Sequence, residues 1–274
     1  MSILEKAFRH MIFTPERIGA IGEEKVSSTL AWSNFFGIKG CQLRNVYIPR
    51  QKGGTTEIDL LYITRKGIYV IESKNYTGYI FGSETNSHWT STLYAGKDFI
   101  GRKRVEKHTF YNPVWQNRTH MNYLQKYLNA DIPMLSVIVF SDRCQLKSID
   151  VTAEHVIICQ QRDLPRVIRH TWQNSPDILT EEDVSAIYHC LLPLTDVDAA
   201  VKARHVEDIH RRFSENGLCP VCGGKLVLRT ARQGANAGKQ FWGCSNYPKC
   251  KYTKACCCSH GNNFSASHTW EDSE

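Results

Sequence analysis

The sequence predicts an α/β protein: a helix, three antiparallel strands, a second helix and a further strand, with a small cysteine-rich module at the C-terminus. Three observations carry this prediction. Residues 57–76, EIDLLYITRKGIYVIESKNY, are two β-rich runs joined by a short basic turn at Arg65 and Lys66, the sequence form of a hairpin. Segments 14–34 and 113–129 repeat apolar residues at helical spacing. Four cysteines between 219 and 250 fall into two short-spaced pairs.

Thr14-Pro15-Glu16 is a helix start, with Thr as N-cap, Pro in the first turn and Glu on the positive end of the dipole. The helix runs to about Asn34 and turns Glu23 inward beside Gly19, Val26 and Leu30, with Glu24 pointing away. Strands follow at 41–49, 56–64 and 67–75. Apolar residues at both parities, Leu60 and Tyr62 then Leu61 and Ile63, make the hairpin strands central to a sheet covered on both faces. Residues 78–112 read as an antiparallel excursion around Trp89 and Tyr94. Val114, Met121, Leu124 and Leu128 form the stripe of the 113–129 helix, and strands are expected at 133–140 and 155–160. Thr180-Glu-Glu-Asp183 opens another helix by a capping-box pattern, and 196–213 is a charged connecting helix.

The hairpin carries charges where burial is expected. A two-residue loop pairs Thr64 with Gly67, and counting back sets Asp59 opposite Glu72, with Lys74 two residues further on. Two facing carboxylates in a half-buried sheet are costly to desolvate without a cation between them. Lys74 supplies one charge and a divalent metal would supply more; the plainer alternative is a structural Glu–Lys pair with Asp59 at a solvated strand end. Asp59 and Glu72 are hard oxygen ligands suited to Mg²⁺ or Mn²⁺.

The chain of 274 residues holds one sizeable α/β domain and a small appendage. Its longest apolar runs, such as PMLSVIVF, are too short to span a membrane, and the charged N-terminus does not read as a secretory signal, so the expectation is cytoplasmic. The formal net charge of +7 is uneven: residues 202–254 carry eleven Lys/Arg against three Asp/Glu, while residues 1–201 are close to neutral. A basic module on a neutral body implies a polyanionic partner.

Cys219-x2-Cys222 and Cys244-x5-Cys250 are separated by 21 residues, a spacing suited to a closed tetrahedral Zn²⁺ site. Around it, Arg229, Arg232, Lys239, Lys249, Lys251 and Lys254 are placed to track phosphates, and Phe241, Trp242, Tyr247 and Tyr252 to stack on bases; some of these aromatics must form the module's small core, and Trp242 or Tyr247 fits either role. Cys256, Cys257 and Cys258 read as a reduced tail, and Cys41, Cys144, Cys159 and Cys190 as core thiols.

Residues 15–141 resemble a NERD (nuclease-related) domain of the PD-(D/E)xK nuclease type, through Gly19-x-x-Gly22-Glu23, Glu57-Ile58-Asp59, the run Gly67 to Tyr76 with Gly78, and Asn112-Pro113-x-x-Gln116. The resemblance implies a PD-(D/E)xK core and a catalytic set of Glu23, Asp59, Glu72 and Lys74, with Gln116 lining the site. In that role Lys74 would position a water, take its proton or neutralise the scissile phosphate, and Gln116 would orient phosphate or water, unless it is simply a polar residue on an exposed helix face. Residues 217–254 resemble the C4 zinc ribbon at the C-terminus of bacterial type IA topoisomerases, through CPVCGGKLVLR, FWGCSNYPKC and KYT, departing at TARQGANAGKQ where the family has a shorter link. That resemblance implies binding of single-stranded DNA. The expected organisation is a nuclease-like domain over 1–195, a helical linker over 196–214, a zinc ribbon over 215–254 and a tail over 255–274. The expected function is a Mg²⁺- or Mn²⁺-dependent DNA nuclease or nickase recruited by the ribbon; the alternative is a non-catalytic DNA-binding accessory protein, and stacking with phosphate contacts leaves RNA open as a substrate.

Overall fold

The two-residue turn at Arg65-Lys66 sets the register of the fold. Strand β2 (Thr55–Thr64) pairs antiparallel with β3 (Gly67–Lys74), Thr64 opposite Gly67 and Leu60 opposite Ile71. Gly67 has φ +115°, and a Cβ there would stand 2.4 Å from the Pro133 carbonyl oxygen, so glycine is required where the turn meets the next loop. The computed structural model describes residues 23–30, 38–51, 53–97, 100–215, 217–219, 224–231, 233, 237–245, 247–248 and 250–255. The chain divides into two compact units, Met1–Arg212 and Phe213–Glu274.

In the first unit β1 (Gly40–Pro49) adds antiparallel to β2, while β7 (Met134–Phe140) and β9 (Val156–Gln160) extend β3 in parallel, giving the order β1-β2-β3-β7-β9. Both faces are covered. Leu61, Ile63, Ile68 and Val70 pack with Leu124 of α2 (Pro113–Leu128) and Val184, Ile187 and Leu191 of α4 (Glu181–Leu191). Leu60, Tyr62, Tyr69 and Ile71 pack with Val26 and Leu30 of the helical segment α1 (23–30) and with Leu164 and Ile168 of α3 (Leu164–Asn174). Glu23 and Glu24 behave as the helical stripe requires, half-buried and exposed respectively; the remainder of the 14–34 helix, with Gly19 and Gly22, lies outside the described residues.

Alternation along β1 and β2 reverses near one end. Val46, Ile48 and Ile58 join the same core as Leu43 and Leu61 despite opposite parity, and Asn45, at the reversal, has φ +51°. Thr56 and Ile58 therefore share the α2 side, Tyr47 and Glu57 turn to the other, and Asp59 sits at the crossover.

The excursion after β3 is a second sheet. Strands β4 (Gly78–Ser83), β5 (His88–Lys97) and β6 (Lys103–Tyr111) are antiparallel, and β8 (Cys144–Asp150) pairs parallel to β4, giving β6-β5-β4-β8. Ile80, Trp89 and Phe110 pack inward on Ile138 and Phe140, the Trp89 and Phe140 rings lying 6.1 Å apart and parallel within 2°. Asn112 joins this sheet to α2: its Oδ1 accepts from Val114 N at 2.9 Å as the helix cap, and its Nδ2 donates to the carbonyls of Ser83, Glu84 and Asn86. Helix α3 was unforeseen, and Cys190, expected as a core thiol, is exposed on α4. The connecting helix is α5 (Ala199–Glu215). Among the described residues no single helix is long and apolar enough to cross a membrane.

The second unit is a three-stranded antiparallel sheet, β10 (Leu226–Thr230), β11 (Gln240–Cys244) and β12 (Thr253–Ala255), in that order. Cys219, Leu226, Cys244 and Cys250 form its core with Tyr252 packed against them.

Candidate metal centre and nucleic-acid interface

Where β3 ends, three side chains close a ring. Lys74 Nζ donates to Glu72 Oε1 at 2.6 Å and to Gln116 Oε1 at 3.0 Å, and Gln116 Nε2 donates to the same Glu72 oxygen at 2.7 Å. The Asn112 cap fixes the start of α2, which turns Gln116 toward the strand. Asp59 Oδ2 accepts from Ser73 N at 2.8 Å, the amide between Glu72 and Lys74. The Glu72 side chain is 3% exposed, yet its Oε2 has no hydrogen-bond partner and lies 3.4 Å from His120 Nε2, which is likewise buried and unpartnered; the other ring nitrogen, Nδ1, shares a hydrogen bond with Thr56 Oγ1 at 2.8 Å.

The electrostatics separate the two carboxyls. Burial favours protonation of Glu72, but the Lys74 ammonium and His120 outweigh it and hold the group ionised below the ordinary range. Burial, then the Glu72 charge, push Asp59 well above its ordinary value, against the pull of Lys74 and the Ser73 amide. Burial also opposes the Lys74 charge, but Glu72 and Asp59 overcome it and keep the ammonium charged. Glu23 is raised by burial and by Glu57, with Arg44 opposing and Glu72 adding a further push. One ammonium thus serves a set of carboxyls too large for it. The orphaned Glu72 oxygen and the neighbouring Asp59 carboxyl fit a hard divalent cation.

In the second unit the thiols of Cys219, Cys244 and Cys250 lie within 4.8 Å of one another, all buried, with Cys219 and Cys250 sulfurs 3.6 Å apart; Cys222 lies outside the described residues. Among the described residues this is the one trio of His, Cys, Asp or Glu gathered so tightly, and it fits three corners of a tetrahedral zinc site. Of the basic and aromatic residues singled out from sequence, Trp242, Tyr247, Lys239, Lys251 and Lys254 are exposed, Tyr252 is half-buried against the cysteine core, and Arg232 and Lys249 lie outside the described residues. Arg229 is engaged internally: it donates to the Cys244 carbonyl at 3.1 Å and lies 5.6 Å from the centre of the Tyr247 ring.

Both units match known families. The nuclease-related domain family matches residues 18–141, and the topoisomerase DNA-binding C4 zinc finger matches residues 216–256. An uncharacterized protein of Bacillus anthracis is 30% identical over 174 residues, 63% of this chain and 76% of that protein. The chain belongs to the nuclease-related domain (NERD) family. DNA topoisomerase 1 of Methanocaldococcus jannaschii is 55% identical over 40 residues, 15% of this chain and 5% of the enzyme, and that of Helicobacter pylori 38% identical over 58 residues, 21% and 7%. The chain therefore spans only the ribbon of these topoisomerases. No solved structure matches the chain at a significant level.

Several residues packed around the candidate site were not singled out from the sequence. His120 follows Gln116 by one helical turn, a spacing visible in the sequence once Gln116 is placed. Glu57, two residues before Asp59, accepts from Tyr47 OH at 2.8 Å and lies 3.7 Å from His205 Nε2 on α5. His205 lies beyond the family match, is 5% exposed, and bonds Thr55 Oγ1 through Nδ1 at 2.9 Å. Nothing local in the sequence marks it; it becomes visible only when α5 is seen against β2.

Proposed function

We propose that the chain is a divalent-metal-dependent DNA nuclease or nickase, brought to single-stranded DNA by its zinc ribbon. The observation that carries the reading is the Lys74–Glu72–Gln116 ring beside Asp59, with the second buried Glu72 oxygen facing only His120, at 3.4 Å, among the described residues. Asp59 and Glu72 would hold Mg²⁺ or Mn²⁺, which supplies charge neutralisation at the phosphate and an acidified water when bound. Lys74, whose charge Glu72 and Asp59 favour, would face the scissile phosphate as a cation. Gln116, bonded to both Lys74 and Glu72, holds the two in register and presents its amide toward substrate. Glu23, half-buried and raised in pKa, extends the acidic set toward Glu57. Cys219, Cys222, Cys244 and Cys250 would hold a structural Zn²⁺, for which a reducing, cytoplasmic setting suits the thiols. Trp242, Tyr247, Lys239, Lys251 and Lys254 offer stacking and phosphate contacts, with Arg232 and Lys249 adding charge.

A second reading, a DNA-binding accessory protein without cleavage, draws on one observation: among the described residues the carboxyls are not gathered as tightly as the three cysteines. Digestion of single-stranded, duplex and supercoiled DNA with Mg²⁺ or Mn²⁺, wild type against Asp59→Ala, decides between them. Cleavage lost in Asp59→Ala supports the nuclease; DNA binding with no cleavage of any substrate supports the accessory role.

A further inference from the structure

The solvent face of the second sheet has a composition that the site on β3 and α2 does not use. Its inner face is spent on the core through Ile80, Trp89 and Phe110. By strand alternation and register the opposite face carries Tyr79 and Phe81 of β4, Tyr94 of β5 and Tyr111 of β6, which are 46%, 38%, 56% and 37% exposed. Tyr79 and Phe81, two apart on β4, are neighbours on this face, with Thr92 and Thr90 opposite them on β5 and the exposed Val105 of β6 opposite Tyr94. Positive charge is interleaved with them. Lys107 pairs across from Thr92 on the same face, and Lys147 Nζ lies 5.0 Å from the centre of the Tyr79 ring. The stretch 102–107, RKRVEK, has four basic residues against one acidic.

We infer that this face is a second binding surface for single-stranded nucleic acid. The inference deepens the nucleic-acid reading above and rests on it. Exposed rings on a sheet with lysines beside them match what an unpaired strand requires: π-faces for bases and positive charge for phosphates. An apolar protein partner would want the lysines absent. The sheet is also rooted at the site. β4 begins four residues after Lys74, and β6 ends five residues before Gln116. Between Lys74 and β4, Tyr76 stacks on Phe110 of β6 at 4.2 Å between ring centres. Tyr76 and Phe110 lie on the inner face, so the solvent face is joined to the site only through the chain.

The test uses the full chain with zinc retained and Asp59→Asn to prevent cleavage, without added divalent metal. Binding of a fluorescein-labelled oligothymidine of about thirty nucleotides is followed by anisotropy across a salt series. Tyr79→Ala with Tyr94→Ala is expected to weaken binding about tenfold or more at unchanged salt slope, since stacking releases no counterions. Lys107→Gln with Lys147→Gln is expected to lower the slope by about 0.7 per lysine. All four side chains are at the surface, so melting temperatures should stay at that of the parent. A strand carrying 5-iodouracil is expected to cross-link to peptides from 78–111. Affinity within about twofold of the parent in both pairs, with every cross-link in 217–255, would overturn the inference. So would a change of sedimentation in the tyrosine pair with DNA binding intact, which would make the face a protein interface. Because the binding is read in a chain that does not cleave, absence of nuclease activity in the wild type would leave this result standing, and an active wild type with unaltered variants would sink this inference alone.

Discussion

At the scale of single residues, the site stores electrostatic strain that the fold must carry. Asp59 has a folded-state pKa raised above its unfolded value, so the stability it contributes is present below the unfolded value and is lost as pH rises through the folded one. At neutral pH without metal it is therefore a liability. Asp59→Asn keeps an acceptor for the Ser73 amide and removes the charge; it is expected to raise Tm by a few degrees at pH 7, with the gain vanishing near pH 4. Thermal melts at the two pH values check this, and a lower Tm at pH 7 would mean that the carboxylate is stabilised by partners other than those seen. The hairpin register from Thr64–Gly67 to Leu60–Ile71 could be read from the sequence because a two-residue turn fixes which residues oppose; the expected pairing of Asp59 with Glu72 lies beyond that register. His120 and Asn117 could not: they occupy buried helix positions where periodicity expects apolar side chains. Asn117 Nδ2 is satisfied only by the distant Val70 carbonyl and Ser136 hydroxyl.

At the scale of elements, α5 is tied to β2 by His205. Burial lowers the His205 pKa, against the pull of Glu57, so the imidazole is neutral where it bonds Thr55. With the folded pKa depressed, the anchor is fully present above the unfolded value of about 6.5 and is lost as pH falls below it toward the folded value. The wild type should lose Tm between pH 7 and pH 5, and His205→Gln should lose less over the same interval; equal losses would remove His205 from the account. The ribbon makes a parallel case. Arg229 braces the Cys244 carbonyl, so Arg229→Ala should destabilise the ribbon, whereas Lys251→Gln with Lys254→Gln should leave its stability unchanged and lower the salt slope of single-strand binding by about 0.7 each. Elements with strong periodicity, β2, β3, α2 and β7, were legible in the sequence. Strand β8, CQLKSID, was not, because as an edge strand it exposes most of its side chains and so lacks an apolar pattern. Helix α3 does carry a readable stripe, Leu164, Val167, Ile168 and Trp172 at helical spacing, all packed on one core. The reversal of alternation at Asn45 and Asp59 was hidden because nothing but the neighbouring strand reports it.

At the scale of the whole molecule, a NERD unit and a zinc ribbon with separate cores are joined in one chain. So small a ribbon cannot bury enough apolar surface to fold without its metal. The isolated segment 215–254 is expected to bind one Zn²⁺ and unfold on chelation, followed by circular dichroism, and Cys219→Ser or Cys250→Ser should act like chelator; a segment that stays folded would show that its thiols only pack. The division of labour between chemistry and strand capture is tested most directly by Lys74→Ala in the intact chain, measuring Mg²⁺-dependent cleavage and DNA affinity on the same preparation. The account predicts cleavage reduced by about a hundredfold or more with affinity almost unchanged, since Lys74 faces the reacting phosphate and the strand is held elsewhere. Cleavage at the wild-type rate, or binding and cleavage lost in equal measure, would contradict it.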